Sequence, residues 1–270
     1  MTAGVLRVAA AQAASVPGDV PANVATAVRL VASSADRGAR AVVLPELFLT
    51  GYDPSAWSHD ASLSLDDPVL GPLVDQARDR SVVVAVGAAV RRALDSSTLS
   101  LLVVDADGVD APYDKQHLDH DEARFFTPGD HGASVVVDGW ELGLGICYDA
   151  SFPEHARAAA VAGATAYLCS AAYVVGSEHR RDLYGAARAL DNGAYVVVAG
   201  LTGRCGAGEF SGGSTVLDPE GRAVERLDDR SPAVVVADLD PAEVSGVRGR
   251  HPMLGDRVAD LGGRVVVSAR

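Results

Sequence analysis

Short β-branched runs alternate along this chain with segments whose apolar residues recur at helical spacing, a pattern that strands covered by helices satisfy. Residues 5 to 12 read as a first strand. From Asp19, residues Val24, Val28, Val31 and Ala35 recur at intervals of four, three and four, and Gly38 stands where such a helix would stop. AVVL at 41 to 44 is a buried strand, and Asp67 followed by Pro68 reads as N-cap and first helical position ahead of Leu70, Leu73, Val74 and Ala77. Strands around 82 to 90 and 98 to 104 end in the turn DADG, a hairpin signal, so the sheet is mixed. ELGLGIC then leads into a helix opened by Pro153 and closed near Gly163, TAYLCS is the next strand, and Leu183, Ala187 and Leu190 mark another helix. AYVVVAG, STVLD and AVVVADLD follow as strands around the turn PEG, whereas the tail from Pro241 carries mixed charge with little period.

A chain of 270 residues, 48% of them hydrophobic, is long enough to bury a sizeable core and fits one α/β domain over 1–270. Its formal net charge of -13 argues against nucleic acid or an anionic membrane as partner. The longest apolar stretches, such as VVVAVGAAV from Val82, fall far short of the roughly 18 residues of a membrane span. The Ala-rich start imitates a signal peptide, but it lacks a basic first segment and Arg7 and Gln12 interrupt it, so it reads as strand. Cys147, Cys169 and Cys205 show no CxxC spacing, which fits a reducing cytoplasm.

Three segments could carry chemistry. Cys147 ends a strand six residues before Pro153, the kind of turn that exposes a nucleophile beside backbone N–H groups, although a lone cysteine is as readily a small core residue. Cys169, in YLCS, keeps that core reading, and Cys205 sits in a Gly-rich loop as a bystander. Glu46 follows a buried strand in VVLPELFLTGYDP, where desolvation would raise its pKa toward that of a base working near neutrality. Taken alone, it reads as well as a solvated loop acid. Lys115, in YDKQHLDHDEARFFTPGD, could neutralise a developing oxyanion or form an ordinary surface ion pair. His117, Asp119, His120 and Asp121 crowd one loop without a matching ligand cluster elsewhere, so no metal is expected. Neither GLGIC nor GRCGAG is a nucleotide-binding loop.

Together, VVLPELFLTGY, YDKQHLDHDEARFFTPGD and GLGICYDASFPEHAR resemble the Glu, Lys and Cys motifs of the nitrilase superfamily, in that chain order. RALDNGAYVVVAG and FSGGSTVLDPEG extend the resemblance, which runs from about Val5 to the segment near Met253. It implies a four-layer αββα sandwich with two mixed β-sheets, a homodimer or higher homo-oligomer, and no cofactor. It further implies that the Cys147 thiolate attacks an amide carbon while Glu46 moves the protons. By the same resemblance, Lys115 and the Tyr148 N–H would hold the oxyanion, and Glu122, matching a second Glu of many relatives, would orient the Lys and substrate. Tyr52 and Tyr148, beside the first and third motifs, could line the pocket, though tyrosine fills core edges as readily.

CYDASFPE resembles the amidase-type pattern more than the CWE of many nitrilases, so a small-molecule amide is the expected substrate. Relatives acting on α-keto acid amides often carry CYDxRFPE; Ser151 here removes that bidentate partner for a carboxylate, unless Arg124 or Arg204 supplies one. An N-carbamoyl amine or amino-acid hydrolase and a nitrilase are the alternatives within the enzyme class, beside a glutamine-hydrolysing domain. Outside it stands a silent scaffold protein. A papain-like protease with His117 or His155 as base lacks its local CGSCW signature.

Overall fold

The computed structural model describes residues 3–268 other than 229 and 259. In chain order, β1 (Leu6–Gln12), α1 (Val20–Asp36) and β2 (Ala41–Val43) are followed by α2 (Gly71–Arg80), β3 (Val83–Ala93), β4 (Ser96–Val104) and β5 (Val109–Asp114). The second half comprises β6 (Ser134–Val137), β7 (Trp140–Ile146), α3 (Pro153–Ala162), β8 (Ala166–Ala171), α4 (Glu178–Asn192) and β9 (Tyr195–Gly200). A small hairpin, β10 (Thr202–Cys205) and β11 (Gly208–Ser211), precedes β12 (Thr215–Leu217), β13 (Ala223–Arg226), β14 (Ala233–Leu239) and α5 (Pro241–Arg250).

Two six-stranded sheets result, ordered β14-β1-β2-β3-β4-β5 and β13-β12-β9-β8-β7-β6. Each is parallel at its centre and antiparallel toward its edges, which makes both mixed. Strand period two decides the layers. On β1, Leu6, Val8 and Ala10 enter the core shared with Leu142, Leu144 and Ile146 of the other sheet, whereas Ala9 and Ala11 pack with Val24, Ala27 and Val31 of α1. Helices thus cover the outer faces and the two sheets meet in the middle, the αββα sandwich that the motif resemblance implies.

Local chemistry accounts for several element boundaries. Asp19 caps α1 through the Ala22 N–H at 3.1 Å, and Asp67 caps the Pro68–Leu70 turn that runs into α2. DADG joins β4 to β5, while β3 and β4 pair as a longer hairpin. One expectation fails. The tail from Pro241 is helical as far as Arg250, with Asp240 accepting from the Ala242 N–H at 2.8 Å; an Asp-Pro start as clear as that at 67–68 outweighs the weak period. On α4 the expected helix forms, and the residues that mark it lie off its inward face, since Leu183 and Leu190 are exposed. Arg181, Gly185 and Arg188 turn inward instead, because the guanidinium groups donate to backbone carbonyls of Gly212 and Ala150.

The turn after β2 is zipped onto β3: the Leu44 N–H donates to the Ala85 carbonyl, the Gly87 N–H to that of Pro45, and the Leu49 N–H to that of Gly87. The Ser170 hydroxyl, on β8 of the opposite sheet, donates to the Leu44 carbonyl at 2.7 Å. Gly87 permits this approach, since a Cβ there would lie 2.7 Å from both the Glu46 Cα and the Pro45 oxygen and closer still to the Leu47 nitrogen. All three obstacles are backbone. Gly87→Ala should therefore cost about 1–3 kcal/mol, the usual range for overpacking, and lower Tm by several degrees, at roughly 2–4 °C per kcal/mol for a chain near this size. Thermal and urea unfolding check this; a variant as stable as wild type would contradict it.

Candidate active site

Glu46 sits in the turn after β2, Lys115 directly follows β5, and Cys147 directly follows β7. The fold brings these three, separated widely along the chain, to one end of the sandwich. Lys115 Nζ donates to Glu46 Oε1 at 2.5 Å and to both oxygens of Glu122 at 2.7 Å. The Lys115 side chain is 1% exposed and both carboxylates 0%, so this is a buried ionic cluster rather than a surface pair.

The two carboxylates differ in what remains free. Glu122 also accepts from the Tyr52 hydroxyl at 2.7 Å and the Asp119 N–H at 2.9 Å, so both its oxygens are occupied by donors. Glu46 Oε2 is buried with no hydrogen-bond partner. Burial pushes the Glu46 carboxyl up, the Lys115 charge opposes this and the Glu122 charge adds to it, leaving it at about 8. For Lys115 burial alone would favour loss of the proton, but the charges of Glu46 and Glu122 prevail and raise its pKa, so the ammonium persists.

Cys147 opens a short 3-10 turn over Cys147–Ser151 with φ +42, a left-handed conformation that costs a non-glycine residue on the order of 1–3 kcal/mol. Burial and the Glu46 charge raise the thiol well above its ordinary value, against the opposing pull of Lys115 and the Ala172 N–H. The balance favours the thiol over the thiolate. Tyr148 follows in the first turn, where backbone N–H groups have no intrahelical acceptor.

A cavity of about 640 Å³ opens over this cluster. Lys115, Glu122 and Cys147 reach its floor, and Tyr52, Trp57, Tyr148, Tyr173 and Phe210 line its walls. Tyr52 and Tyr148 thus both face it, Tyr52 packing edge-on against Trp57 and Phe210. Asp53, Asp119 and Asp121 stand around the cavity, and Lys115 is the only Lys or Arg among the described residues lining it. Ser151 lines it as well, without a guanidinium to replace the missing Arg. Arg124 is not itself in the lining but pairs with Asp121 and donates to His120, which both line the cavity, and Arg204 is exposed on β10.

The remaining candidates take other places. Cys169 is buried in β8, and Cys205 accepts the Tyr52 N–H at 3.2 Å, holding the chain beside the pocket. His117 bonds Asp149, and His155 lies between the hydroxyls of Tyr113 and Tyr167, so each is committed elsewhere than to Cys147. Asp149, Tyr113 and Tyr167 were not singled out from the sequence. Asp149 does lie within the Cys motif, where its position two residues beyond the nucleophile candidate was the available signal.

Residues 7–249 match the carbon-nitrogen hydrolase family. The (R)-stereoselective amidase of a Pseudomonas species is 32% identical over 268 residues, covering 96% of this chain and 93% of that protein. The N-carbamoylputrescine amidase of Solanum tuberosum is 31% identical over 270 residues, covering 90% and 89%. Among solved structures, a double mutant of the amidase from Nesterenkonia sp. AN1 in complex with acrylamide superposes with a TM-score of 0.83 at 28% identity, covering 94% of each chain. Another mutant of that amidase, with a TM-score of 0.82 at 28% identity and 94% of each chain covered, carries the acetamide moiety of fluoroacetamide covalently at its active site cysteine. With a family match reaching from β1 into α5 and a sandwich shared with solved amidases, this chain belongs to the carbon-nitrogen hydrolases, in the amidase-like branch of the nitrilase superfamily.

Proposed function

We propose that this enzyme hydrolyses a small primary amide to a carboxylic acid and ammonia through a thioester on Cys147. The observation that carries this reading is the unpartnered Glu46 Oε2, a buried acceptor on a carboxylate whose other oxygen is held by Lys115. Such an oxygen can take the Cys147 proton, whereas Glu122, with both oxygens occupied, serves to fix Lys115. The thiolate adds to the amide carbon, and the resulting oxyanion lies against the Lys115 ammonium and the Tyr148 N–H; losing one such donor typically costs about 100- to 1000-fold in rate. Glu46 then protonates the leaving nitrogen, ammonia departs, and water activated by the same carboxylate opens the thioester. The cysteine adduct of the Nesterenkonia amidase supports a covalent route.

A neutral acyl group suits the cavity, since a second carboxylate on the substrate would meet Asp53, Asp119 and Asp121 and no free guanidinium. The same acidic surround favours an N-carbamoyl amine with a cationic tail as the second reading, and the resemblance to an N-carbamoylputrescine amidase agrees with it. Three free cysteines fit a reducing cytoplasm, and no described helix is long and apolar enough to cross a membrane. Leu183 and Leu190, exposed on α4, offer an apolar stripe through which two copies would pair.

Substitution separates the cysteines. Cys147→Ala should abolish turnover, while Cys169→Ala and Cys205→Ala retain most of it; a near wild-type rate for Cys147→Ala would sink the mechanism. Ammonia release measured as kcat/KM on amide, carbamoyl and nitrile compounds with one acyl side should favour the amide. A tenfold nitrile preference, about 1.4 kcal/mol in transition-state binding, would reverse the assignment, and a clear carbamoyl preference would select the second reading.

The pH profile follows from Glu46. Protonated, it cannot accept the thiol proton, so kcat/KM should fall as pH drops through about 8, the value to which burial raises that carboxyl. The apparent value belongs to the coupled cluster. A profile flat from about pH 6 to 9 would exclude a base with this titration.

A further inference from the structure

Cys147 and Lys115 stand on different sheets, so their separation is set by whatever ties the ends of β5 and β7 together. Asp149, fully buried two residues beyond Cys147, makes that tie. Its Oδ1 accepts from the His117 N–H at 3.0 Å and from His117 Nδ1 at 2.8 Å, both on the loop that carries Lys115. Its Oδ2 accepts from the Tyr113 hydroxyl at 2.6 Å, at the end of β5, and from the Ile146 N–H at 3.0 Å, at the end of β7. Four donors, three from the Lys115 side and one from the Cys147 side, thus converge on a single carboxylate.

The donor directions form one consistent chain. Because the Tyr113 O–H is spent on Asp149, its oxygen accepts from His155 Nε2, 2.7 Å away. That tautomer leaves His155 Nδ1 as acceptor for the Tyr167 hydroxyl at 2.9 Å. Tyr167, on β8, reaches this position over Gly145, where a Cβ would collide with its hydroxyl. On the far side of the turn, Arg188 Nε of α4 donates to the Ala150 carbonyl at 2.8 Å. His117 stacks on Phe152 with ring centroids 3.8 Å apart, which keeps its Nδ1 aimed at Asp149.

We infer that Asp149 is a positioning residue: its carboxylate clamps the Lys115 loop to the Cys147 turn and thereby sets the distance between nucleophile and oxyanion donor. It touches neither the cavity nor the reacting atoms. The inference rests on the thioester mechanism proposed above. Its chemistry is demanding because two of the four donors are backbone N–H groups, one on each carboxylate oxygen. An asparagine in either amide orientation turns its NH₂ against one of them, so the isosteric substitution cannot restore the clamp.

The test is kcat per reactive site. Wild type, Asp149→Asn and His117→Ala are purified, the fraction of Cys147 that iodoacetamide alkylates is counted by peptide mass spectrometry, and kcat and KM are measured on one small amide. Displacement of a reacting group by about 1 Å costs on the order of 100-fold, and that loss is expected in kcat per site for Asp149→Asn, with KM within about threefold. His117→Ala, at a partly exposed position, removes the Nδ1 contact to Asp149 and the stack on Phe152 while keeping the backbone N–H, and should lose on the order of tenfold. A merely structural role would lower the count of alkylatable sites or the Tm but leave kcat per site unchanged. Wild-type kcat per site within twofold in both variants overturns the clamp; should Asp149→Asn not fold, His117→Ala alone decides by the same criterion. Failure of the underlying mechanism looks different: wild type whose Cys147 is fully alkylated would keep turning over, which overturns both.

Discussion

One ammonium held between two carboxylates, all three out of water, is the constraint around which the rest is arranged. Burying each such ion costs several kcal/mol after relaxation, and replacing such groups with packed apolar residues is often neutral or stabilising. Their stability contribution therefore gives no reason to place Lys115, Glu46 and Glu122 there. What the arrangement supplies is an imbalance: one positive charge against two negative ones, with every acceptor position of Glu122 spoken for and one oxygen of Glu46 left over. The burial that makes the cluster expensive also raises the Glu46 carboxyl into the range where it can exchange a proton with a thiol.

The scaffold answers to that cluster. Glu46, Lys115 and Cys147 arrive from the ends of β2, β5 and β7, strands of two different sheets, while Glu122 lies on the loop beyond Lys115, so their geometry is only as good as the contacts between sheets. Ser170 holds the Glu46 turn from the opposite sheet, and Asp149 joins the Lys115 loop to the turn of Cys147. Cys147 itself sits at positive φ, a strain that the Ile146 N–H bond to Asp149 and the Arg188 bond to Ala150 help to hold. Polar groups do this work because their directions are fixed, whereas apolar packing would tolerate a slide.

Much of this was legible before any coordinates. Strand and helix alternation is a property of side-chain period, and both sheets follow it. The segments around Glu46, Lys115 and Cys147 stand out because reactive residues occur beside buried strands. What sequence could not yield was relational. Nothing in VVLPELFLTGY tells which oxygen of Glu46 lacks a partner, and nothing in CYDASFPEHAR announces that Asp149 reaches back to His117 and Tyr113. The inner face of α4 was not legible for the same reason: arginines are poor core residues by composition, and only the carbonyls of Ala150 and Gly212 make Arg188 and Arg181 acceptable there. The helix from Pro241 was lost because weak periodicity was weighed above a clear N-cap.

The central claim is that a buried carboxylate delivers the Cys147 thiolate to an amide carbon, and the acyl-enzyme is its most direct trace. Wild-type enzyme turning over a small primary amide can be acid-quenched in the steady state and its cysteine peptides weighed. A mass increase equal to the acyl group less the displaced thiol hydrogen on the Cys147 peptide, decaying no more slowly than turnover once substrate is exhausted, is the result expected. Turnover with no adduct on Cys147 at any quench time, or an adduct confined to Cys169 or Cys205, would contradict it.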